Sequence, residues 1–310
     1  MRNDSLIPAT RFADPTVDFA FKRIFGTEAY KQNTVNLLNA VIPDIGIVDV
    51  KFINNELVGE TADSRKSVID VCCEDASGKK FIIEMQRASQ EHFRERTLFY
   101  ASKFIALLGR AGDWDYRLPP VYVVSVLDFP LGRLDVGNLN GRYLLHYTLQ
   151  DTETFEKMSG GTEFFFLGLR DFEKSGRKFA NDIEKWIYLL KNSSSLKEIP
   201  GTFKGDAKFS SYFEACDRAG FTRDEELQYV KDMMTRNDIE NSKREACARA
   251  KAEGKAEGRS EGKAEGLAEG LAEGAEQKQR EVARKMKAEG IPAETITKCT
   301  GLTAEEVEAL

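Results

Sequence analysis

The sequence has 310 residues, of which 41% are hydrophobic and 31% are charged, so it is long enough to bury one sizeable core beside a very polar region. Its formal net charge of -6 argues against a nucleic-acid binder that is basic over its whole surface, but it leaves room for a basic surface confined to one groove. No apolar run approaches the roughly 18 residues of a membrane span, and the first residues lead into no apolar segment typical of a secretory leader.

Histidine and cysteine are too sparse to indicate chemistry based on them. His92 and His146 are far apart, and the five cysteines have no metal-ligand spacing. Cys72 and Cys73 are neighbours on one predicted strand, which is typical of buried thiols in a reducing compartment rather than of a disulfide framework. We therefore expect a cytoplasmic protein without a zinc site.

Two helices and an edge strand are predicted first. Asp14-Pro15-Thr16 is a helix-start signal with Asp or Thr available as the cap, and apolar residues then recur at helical spacing. Asp18 and Lys22 share another face of this helix at i, i+4, where an exposed ion pair is one interpretation. A second helix is predicted over 28–40, and an edge strand over 46–53.

The stretch 66–86 predicts a β-hairpin that carries the chemistry. Two short runs of β-branched and aromatic residues flank a turn cluster at 75–78. With the loop centred near Ser77, Asp70 stands directly across from Glu84. The strand period of two then gives one face with Val68, Asp70, Cys72, Ile82, Glu84 and Gln86. It gives a second, apolar face that belongs to the core, with Ile69, Val71, Phe81, Ile83 and Met85.

Two carboxylates that face each other across a hairpin need a neutralising charge. Their Cβ atoms would be about 5 Å apart, and at an effective dielectric of about 20 their repulsion would be on the order of 3 kcal/mol. A divalent metal would remove this repulsion, and hard oxygen ligands at this spacing suit Mg²⁺ or Mn²⁺. Gln86 points the same way and could orient a water or a phosphate oxygen. The alternative is that Asp70 or Glu84 lies at a solvated strand end, paired with Lys66 or Lys79.

A helix, three strands and a further helix are predicted after Gln86. The first helix has a broad apolar face, and three arginines near its start could contact phosphate oxygens or could equally be ordinary surface residues. These arginines are Arg87, Arg94 and Arg96. The strands are predicted at 121–128, 142–149 and 163–169, and the last helix at 181–191.

The motifs of the hairpin and the first helix resemble those of a known family. Asp70, the Gly78 turn and Glu84-Met85-Gln86, with Asp18-Phe19-Ala20-Phe21-Lys22 upstream, resemble the PD-(D/E)xK nuclease superfamily, and most closely its Rpn family of recombination-promoting nucleases and transposase-like proteins. The resemblance covers nearly the whole chain. It implies an α/β fold: a restriction-endonuclease-like core, with a mixed sheet flanked by helices, and an extended helical C-terminal tail. It also implies DNA cleavage with a link to recombination or mobile elements.

The resemblance further assigns roles to single residues. Asp18 matches an acidic position in the first helix of the family pattern, and it would be a metal ligand directly or through water. Gln86 replaces the usual third-position lysine and cannot carry a positive charge, so Lys51, Lys66 or Lys22 is expected to supply that charge to the scissile phosphate. Lys66 is favoured because it corresponds to a lysine that the family usually shows, although it could also be a solvated lysine.

The chain divides into a nuclease-like domain and an unusual tail. The predicted segments are the domain at 1–195, a helical connector at 196–221, a charged Ala-Glu-Gly repeat at 222–280 and a small helix-turn-helix-like segment at 281–310. Within the repeat, glycine at every fourth position over 251–274 leaves no fixed apolar stripe and predicts a solvated, marginal helix or a flexible spacer. The last predicted helix carries three glutamates and no lysine or arginine, which favours packing or self-association over DNA reading.

The sequence therefore predicts an Mg²⁺- or Mn²⁺-dependent DNA endonuclease. One alternative is a catalytically inactive DNA-associated or assembly protein that retains the fold, and another is a main role for the tail in homo-oligomer formation. The predicted catalytic residues are Asp70, Glu84, Gln86, Lys66 and Asp18, of which Asp70, Glu84 and Asp18 would hold the metal. The predicted DNA-binding residues are Arg87, Arg94, Arg96 and Lys22.

Overall fold

The computed structural model describes residues 10–53, 56–57, 67–109, 115, 117–158, 161–172 and 178–310. Lys66, the lysine favoured above, lies outside the described residues. The chain divides into two compact units, Met1–Arg236 and Asn237–Leu310. The first unit therefore includes the predicted connector and the start of the tail.

A six-stranded mixed sheet forms the centre of the first unit, in the order β1-β4-β5-β6-β8-β7. Strands β5, β6 and β8 run parallel, whereas the pairs at both sides of them are antiparallel. A two-residue pair, β2 with β3, lies outside this sheet. The strands are β1 Val50–Phe52, β2 Glu56–Leu57, β3 Ser67–Val68, β4 Val71–Asp75, β5 Lys80–Gln86, β6 Val121–Leu127, β7 Leu144–Thr148 and β8 Thr162–Gly168. The predicted edge strand is thus confirmed as β1, although it is shorter than expected.

Helices cover both faces of the sheet, as the predicted fold class requires. The α-helices are α1 Asp18–Phe25, α2 Lys31–Val41, α3 Phe93–Leu107, α4 Asp182–Asn192, α5 Ala207–Cys216, α6 Arg223–Ala288, α7 Ala293–Thr300 and α8 Ala304–Glu308. On one face, side chains of α1, α2, α4 and α5 join the largest core cluster, where Trp186 and Phe209 are fully buried. On the other face, α3 packs through Ala101 and Phe104 against Ile82 and Val123 of the sheet. The restriction-endonuclease-like architecture is confirmed.

The start of α6 holds α1 in place, although α6 belongs mostly to the tail. Tyr229 is buried against the segment that leads into α1, and its hydroxyl accepts a hydrogen bond from the Asp14 backbone N–H at 2.9 Å. Asp232 accepts from the Phe19 N–H at 3.1 Å, which is one of the N–H groups that a helix leaves without an intrahelical partner. The predicted side-chain cap of α1 is wrong: the N-cap residue is Val17, and Asp14 instead binds Arg236 and Thr16.

The second unit has a small core of its own. Ala283 of α6 packs against Ile296 of α7, Leu302 and Val307 of α8. A capping box between Thr303 and Glu306 begins α8. Within the described part of the chain, no helix combines the length and the apolar character that a membrane crossing requires.

The Ala-Glu-Gly repeat lies inside α6, which runs unbroken through residues 251–274 with every side chain of the repeat exposed. A Cβ atom added at any of its glycines would meet nothing within 4 Å. These glycines are Gly254, Gly258, Gly262, Gly266, Gly270 and Gly274. No contact with the described part of the chain therefore explains why glycine rather than alanine occupies these positions.

Replacing all six glycines by alanine is expected to stabilise the repeat helix. Each change removes backbone freedom from the unfolded chain and should contribute about 1 kcal/mol where the helix frays. Amide hydrogen exchange over 251–274 should slow, while exchange in the sheet of the first unit stays the same. Faster exchange in the six-alanine variant would contradict this reading, since it would show that the glycines make close contacts outside the single chain.

Candidate active site

The hairpin of β4 and β5 brings Asp70 and Glu84 together. The turn forms as predicted: Gly78 has a φ of 85°, and the Asp75 carboxylate accepts from the backbone N–H of Ser77 at 2.9 Å. The paired residues run from Glu74 with Lys80 to Val71 with Ile83, which confirms the predicted register within the two strands. The pairing ends at Val71, one residue after Asp70, and the Asp70 charge acts on the pKa of Glu84, so the two carboxyl groups lie near each other.

Asp70 is placed by a bend that the alternation rule did not predict. Strand β4 begins at Val71, and Asp70 precedes it in a bend. Ile69 consequently packs with Cys72 and Ile82 under α3, so its predicted assignment to the opposite face is wrong. One oxygen of the Asp70 carboxylate, Oδ2, accepts a hydrogen bond of 2.8 Å from the Met85 N–H, and this bond anchors the carboxylate at the end of β5.

Both carboxyl groups lie in a poorly solvated place. Glu84 is 8% exposed, and burial together with the neighbouring Asp70 charge raises the pKa of Glu84 to about 7. Burial also raises the pKa of Asp70, and the negative charge of Asp18 acts in the same direction. Two acids whose ionised forms are disfavoured in this way would be stabilised by a bound cation. Oxygen donors of this kind fit a hard divalent ion such as Mg²⁺ or Mn²⁺.

Helix α1 adds a charged pair next to these acids. Lys22 Nζ lies 2.8 Å from Asp18 Oδ1 and 3.9 Å from Asp70 Oδ1. The structure therefore brings both predicted α1 residues towards the carboxylates, but Lys22 pairs with Asp18, whose side chain is 57% exposed. Among the described residues, no three acidic, histidine or cysteine side chains are arranged to hold a metal ion. The two hairpin acids are the centre of the site.

Gln86 is held in place by two hydrogen bonds on the same face of β5 as Glu84. Its side-chain nitrogen donates to the Ala88 carbonyl at 2.9 Å, and its side-chain oxygen accepts from Arg96 Nη2 at 2.7 Å. Arg96 projects from the first turn of α3. Of the three arginines predicted near the start of this helix, Arg96 is thus placed beside Gln86.

The other candidate cations are spread more widely. Arg87 follows Gln86 directly, in the segment before α3 rather than in the helix itself. Arg94 lines a groove with Tyr147 and Leu149 beside the edge strand β7. Lys51 is exposed on the opposite edge strand, paired in register with Glu74. Arg94 and Lys51 therefore lie beside other strands, whereas Arg96 contacts Gln86 directly.

Three residues on or after the parallel strands β6 and β8 were not predicted: Ser125, Asp128 and Arg170. Asp128 follows β6, donates its backbone N–H to the Gln86 carbonyl at 2.9 Å, and pairs through its carboxylate with Arg170 Nε at 2.7 Å. Ser125 of β6 is the register neighbour of Glu84, and its fully buried hydroxyl has no hydrogen-bond partner within the described ranges. The carboxyl ends of parallel strands commonly form binding sites, and this rule could have indicated Asp128 from the sequence.

Comparison with known families identifies the family to which this fold belongs. The family profile described as PD-(D/E)XK nuclease family transposase matches residues 15–246. The chain belongs to this family. A second profile, described as the C-terminal HTH domain of the Rpn/YhgA-like nuclease family, matches residues 276–310. Comparisons with curated proteins and with solved structures found no match.

Both family matches bear on the predictions from the sequence. The PD-(D/E)XK match spans Asp18, the hairpin and α3, so the whole candidate site lies inside it. The predicted relation to the Rpn family is confirmed. The C-terminal match also supports the helix-turn-helix resemblance of the last segment, and it indicates a DNA-binding domain there.

Proposed function

We propose that this protein is a metal-dependent DNA endonuclease that hydrolyses phosphodiester bonds, with a role in recombination or in mobile elements. The observation that carries the proposal is that Asp70 and Glu84 lie near each other at the carboxyl end of β5, where burial raises the pKa of both carboxyl groups. Membership of a nuclease and transposase family supports the same conclusion. Two neighbouring carboxyl groups at the end of a strand suit hydrolysis assisted by a metal ion.

Asp70 and Glu84 would hold the ion, Mg²⁺ or Mn²⁺, and Asp18 would contribute through water, because its carboxylate is engaged by Lys22. When bound, such an ion activates water for attack and stabilises negative charge on the scissile phosphate. The Met85 N–H keeps the Asp70 carboxylate oriented. Gln86 would position the attacking water, because its amide is fixed on the same face of the sheet as Glu84.

Cations around the site would bind the DNA backbone. Lys22, Arg87 and Arg94 are proposed to contact phosphates away from the scissile bond, as Lys and Arg commonly do without reading sequence. The sequence alone favours Lys66 for the charge at the scissile phosphate, and Lys66 lies outside the described residues. The cytoplasm is the proposed location, since all five cysteines are free and Cys72 and Cys73 are buried thiols.

A second candidate function is a DNA-associated protein without turnover. It is favoured by one observation, the glutamine at position 86, where the pattern of the PD-(D/E)xK superfamily has lysine and the resemblance to the Rpn family implies glutamine. Such a protein would still bind DNA through the nuclease-like unit and the helix-turn-helix segment. Catalytic competence is what separates the two functions.

Removal of the metal is the direct test. The full-length chain should nick supercoiled plasmid DNA in Mg²⁺ or Mn²⁺ and lose at least about 100-fold of that rate in excess EDTA. Ca²⁺, which binds oxygen ligands with looser geometry, should support DNA binding with much less cleavage. If DNA is bound but never cut in any of these ions, the second function is correct.

We also propose that α6 and the C-terminal segment form a homo-oligomer. The exposed glycines of the repeat, which no contact inside the chain explains, support this proposal. Light scattering of the full chain and of a chain truncated after residue 236 should give a lower number of copies for the truncated form. An unchanged number of copies would show that the tail does not contribute to oligomer formation.

A further inference from the structure

We propose that Arg96 supplies, from helix α3, the positive charge that the neutral side chain of Gln86 cannot supply, and that Gln86 holds the Arg96 guanidinium at the scissile phosphate. This inference rests on the proposed nuclease function and adds a residue to its site. It also changes an expectation from the sequence, in which one of three lysines was to supply this charge.

The contacts of Arg96 fix its guanidinium next to the hairpin acids. Nη2 donates to the Gln86 side-chain oxygen at 2.7 Å, and Nη1 donates to the side chain of Gln90. The group also lies over the rings of Phe93 and Tyr100, with 5.2 and 5.6 Å to the ring centroids. Such contacts restrict a long side chain to one orientation.

Arg96 retains donors for a ligand. A guanidinium has five N–H groups in a fixed fork, and the two contacts with Gln86 and Gln90 use only part of them. The Nε atom is buried and has no hydrogen-bond partner within the described residues. A planar fork with unused donors is the group that best matches two oxygens of a phosphate.

The charge of Arg96 reaches both acids of the site. It lowers the pKa of Asp70 and of Glu84, against the stronger effect of burial on each. Lys22 is an alternative source of this charge, but its Nζ forms an ion pair with Asp18 Oδ1 at 2.8 Å and lies 3.9 Å from Asp70 Oδ1. Lys51 is exposed on the far edge of the sheet. Arg96 therefore contacts Gln86 and also acts on both carboxylates.

An exchange of the charge between positions 96 and 86 tests the inference. Arg96→Gln should lower the nicking rate by about 100-fold, which is the usual cost of one donor to the developing charge. The double variant Arg96→Gln with Gln86→Lys should recover at least about tenfold of this loss, because the charge returns on β5. Arg96→Lys, which keeps the charge but not the fork, should fall between the wild type and Arg96→Gln.

Lys103→Gln is the matched control, because it removes one positive charge from the same helix at a position with no assigned role, where the Lys103 ammonium lies 5.0 Å from the centroid of the Phe99 ring. It should nick within about threefold of the wild type, as expected for a surface cation outside the proposed site. Melting temperatures of all variants show whether the fold is retained.

Binding measurements give a readout that does not depend on turnover. Without DNA, Arg96→Gln should bind Ca²⁺ a few-fold more tightly, roughly threefold to tenfold, because a cation next to both carboxylates has been removed. With Ca²⁺ present, the same variant should bind a short DNA duplex less tightly. A merely structural role would weaken both, since a disordered site holds neither ligand well.

The inference is overturned if Arg96→Gln nicks within threefold of the wild type, if the double variant is no more active than Arg96→Gln, or if Ca²⁺ affinity does not rise. If Arg96→Gln nicks like the wild type and nicking by the wild type still requires Asp70, the inference about Arg96 fails but the proposed nuclease function does not. If the wild type does not nick at all, the nuclease function fails, and the Ca²⁺ and DNA affinities alone decide the placement of the charge.

Discussion

Asp70→Asn should reduce the nicking of supercoiled DNA by about 10³-fold or more, because it removes one of the two carboxylates that we assign to the metal. The substitution keeps the shape of the side chain, and an amide oxygen can still accept the hydrogen bond that the Met85 N–H donates at 2.8 Å. The end of β5 should therefore keep its structure. Only the charge and the strength of the metal ligand are lost.

The neighbouring acid Glu74 provides the control. Glu74 lies on β4, pairs with Lys80 and stands in register with Lys51, so it belongs to the hairpin but not to the site. Glu74→Gln should nick within about threefold of the wild type, as a partly exposed ion pair contributes little. Equal nicking by the wild type and Asp70→Asn would identify the activity as a contaminating nuclease, and the metal-dependent proposal would then be wrong.

The pairing of Asp70 with Glu84 could be predicted because three local signals agree. A turn with glycine at φ of 85°, an aspartate that caps the turn, and two alternating strands leave one register. Ile69 was placed wrongly because alternation holds only inside a strand, and the chain bends at Asp70. A bend of this kind depends on contacts with α3 and Met85, which the local sequence does not show.

The contribution of Arg96 could not be predicted in the same way. The sequence placed arginines near the start of a helix, but which of them faces the sheet depends on where that helix begins. The predicted helix began next to Gln86, whereas α3 begins at Phe93. A shift of a few residues turns a helix by a large angle, since each residue rotates about 100°. The segment before α3 therefore decides that Arg96 contacts Gln86.

The continuous helix of the tail could not be predicted for a different reason. Its composition predicted a marginal helix or a spacer, because each glycine weakens a helix in isolation. The structure has one helix from Arg223 to Ala288, whose first turns are fixed by contacts such as Tyr229 with Asp14 and Asp232 with Phe19. These anchors lie far from the glycines in sequence and join the helix to α1. Long-range contacts of this type carry no periodic signal.

Glu84→Gln is expected to abolish nicking and at the same time to stabilise the protein at alkaline pH. The pKa of Glu84 rises from 4.5 to about 7 in the folded protein, mainly through burial. Because the folded state holds the proton more tightly than the unfolded state, the free energy of unfolding falls as the pH rises from about 4.5 to about 7. The full difference corresponds to about 3 kcal/mol, and above pH 7 the folded protein carries this whole cost. Glutamine mimics the protonated acid, so the cost is absent.

Urea unfolding in EDTA at several pH values measures this effect. At pH 8 Glu84→Gln should be more stable than the wild type by about 2 to 3 kcal/mol, and at pH 4 the two should agree, since Glu84 is then protonated in both states. Acids that do not interact with Glu84 cancel in the difference between the two proteins, and the neighbouring Asp70, which loses a nearby negative charge, adds to the stabilisation in the same direction. Saturating Mg²⁺ should stabilise the wild type and not the variant, because a ligand stabilises only the state that binds it. A variant less stable than the wild type at pH 8 would mean that the Glu84 carboxylate is solvated or already paired, and the site would lack the strain that favours a bound cation.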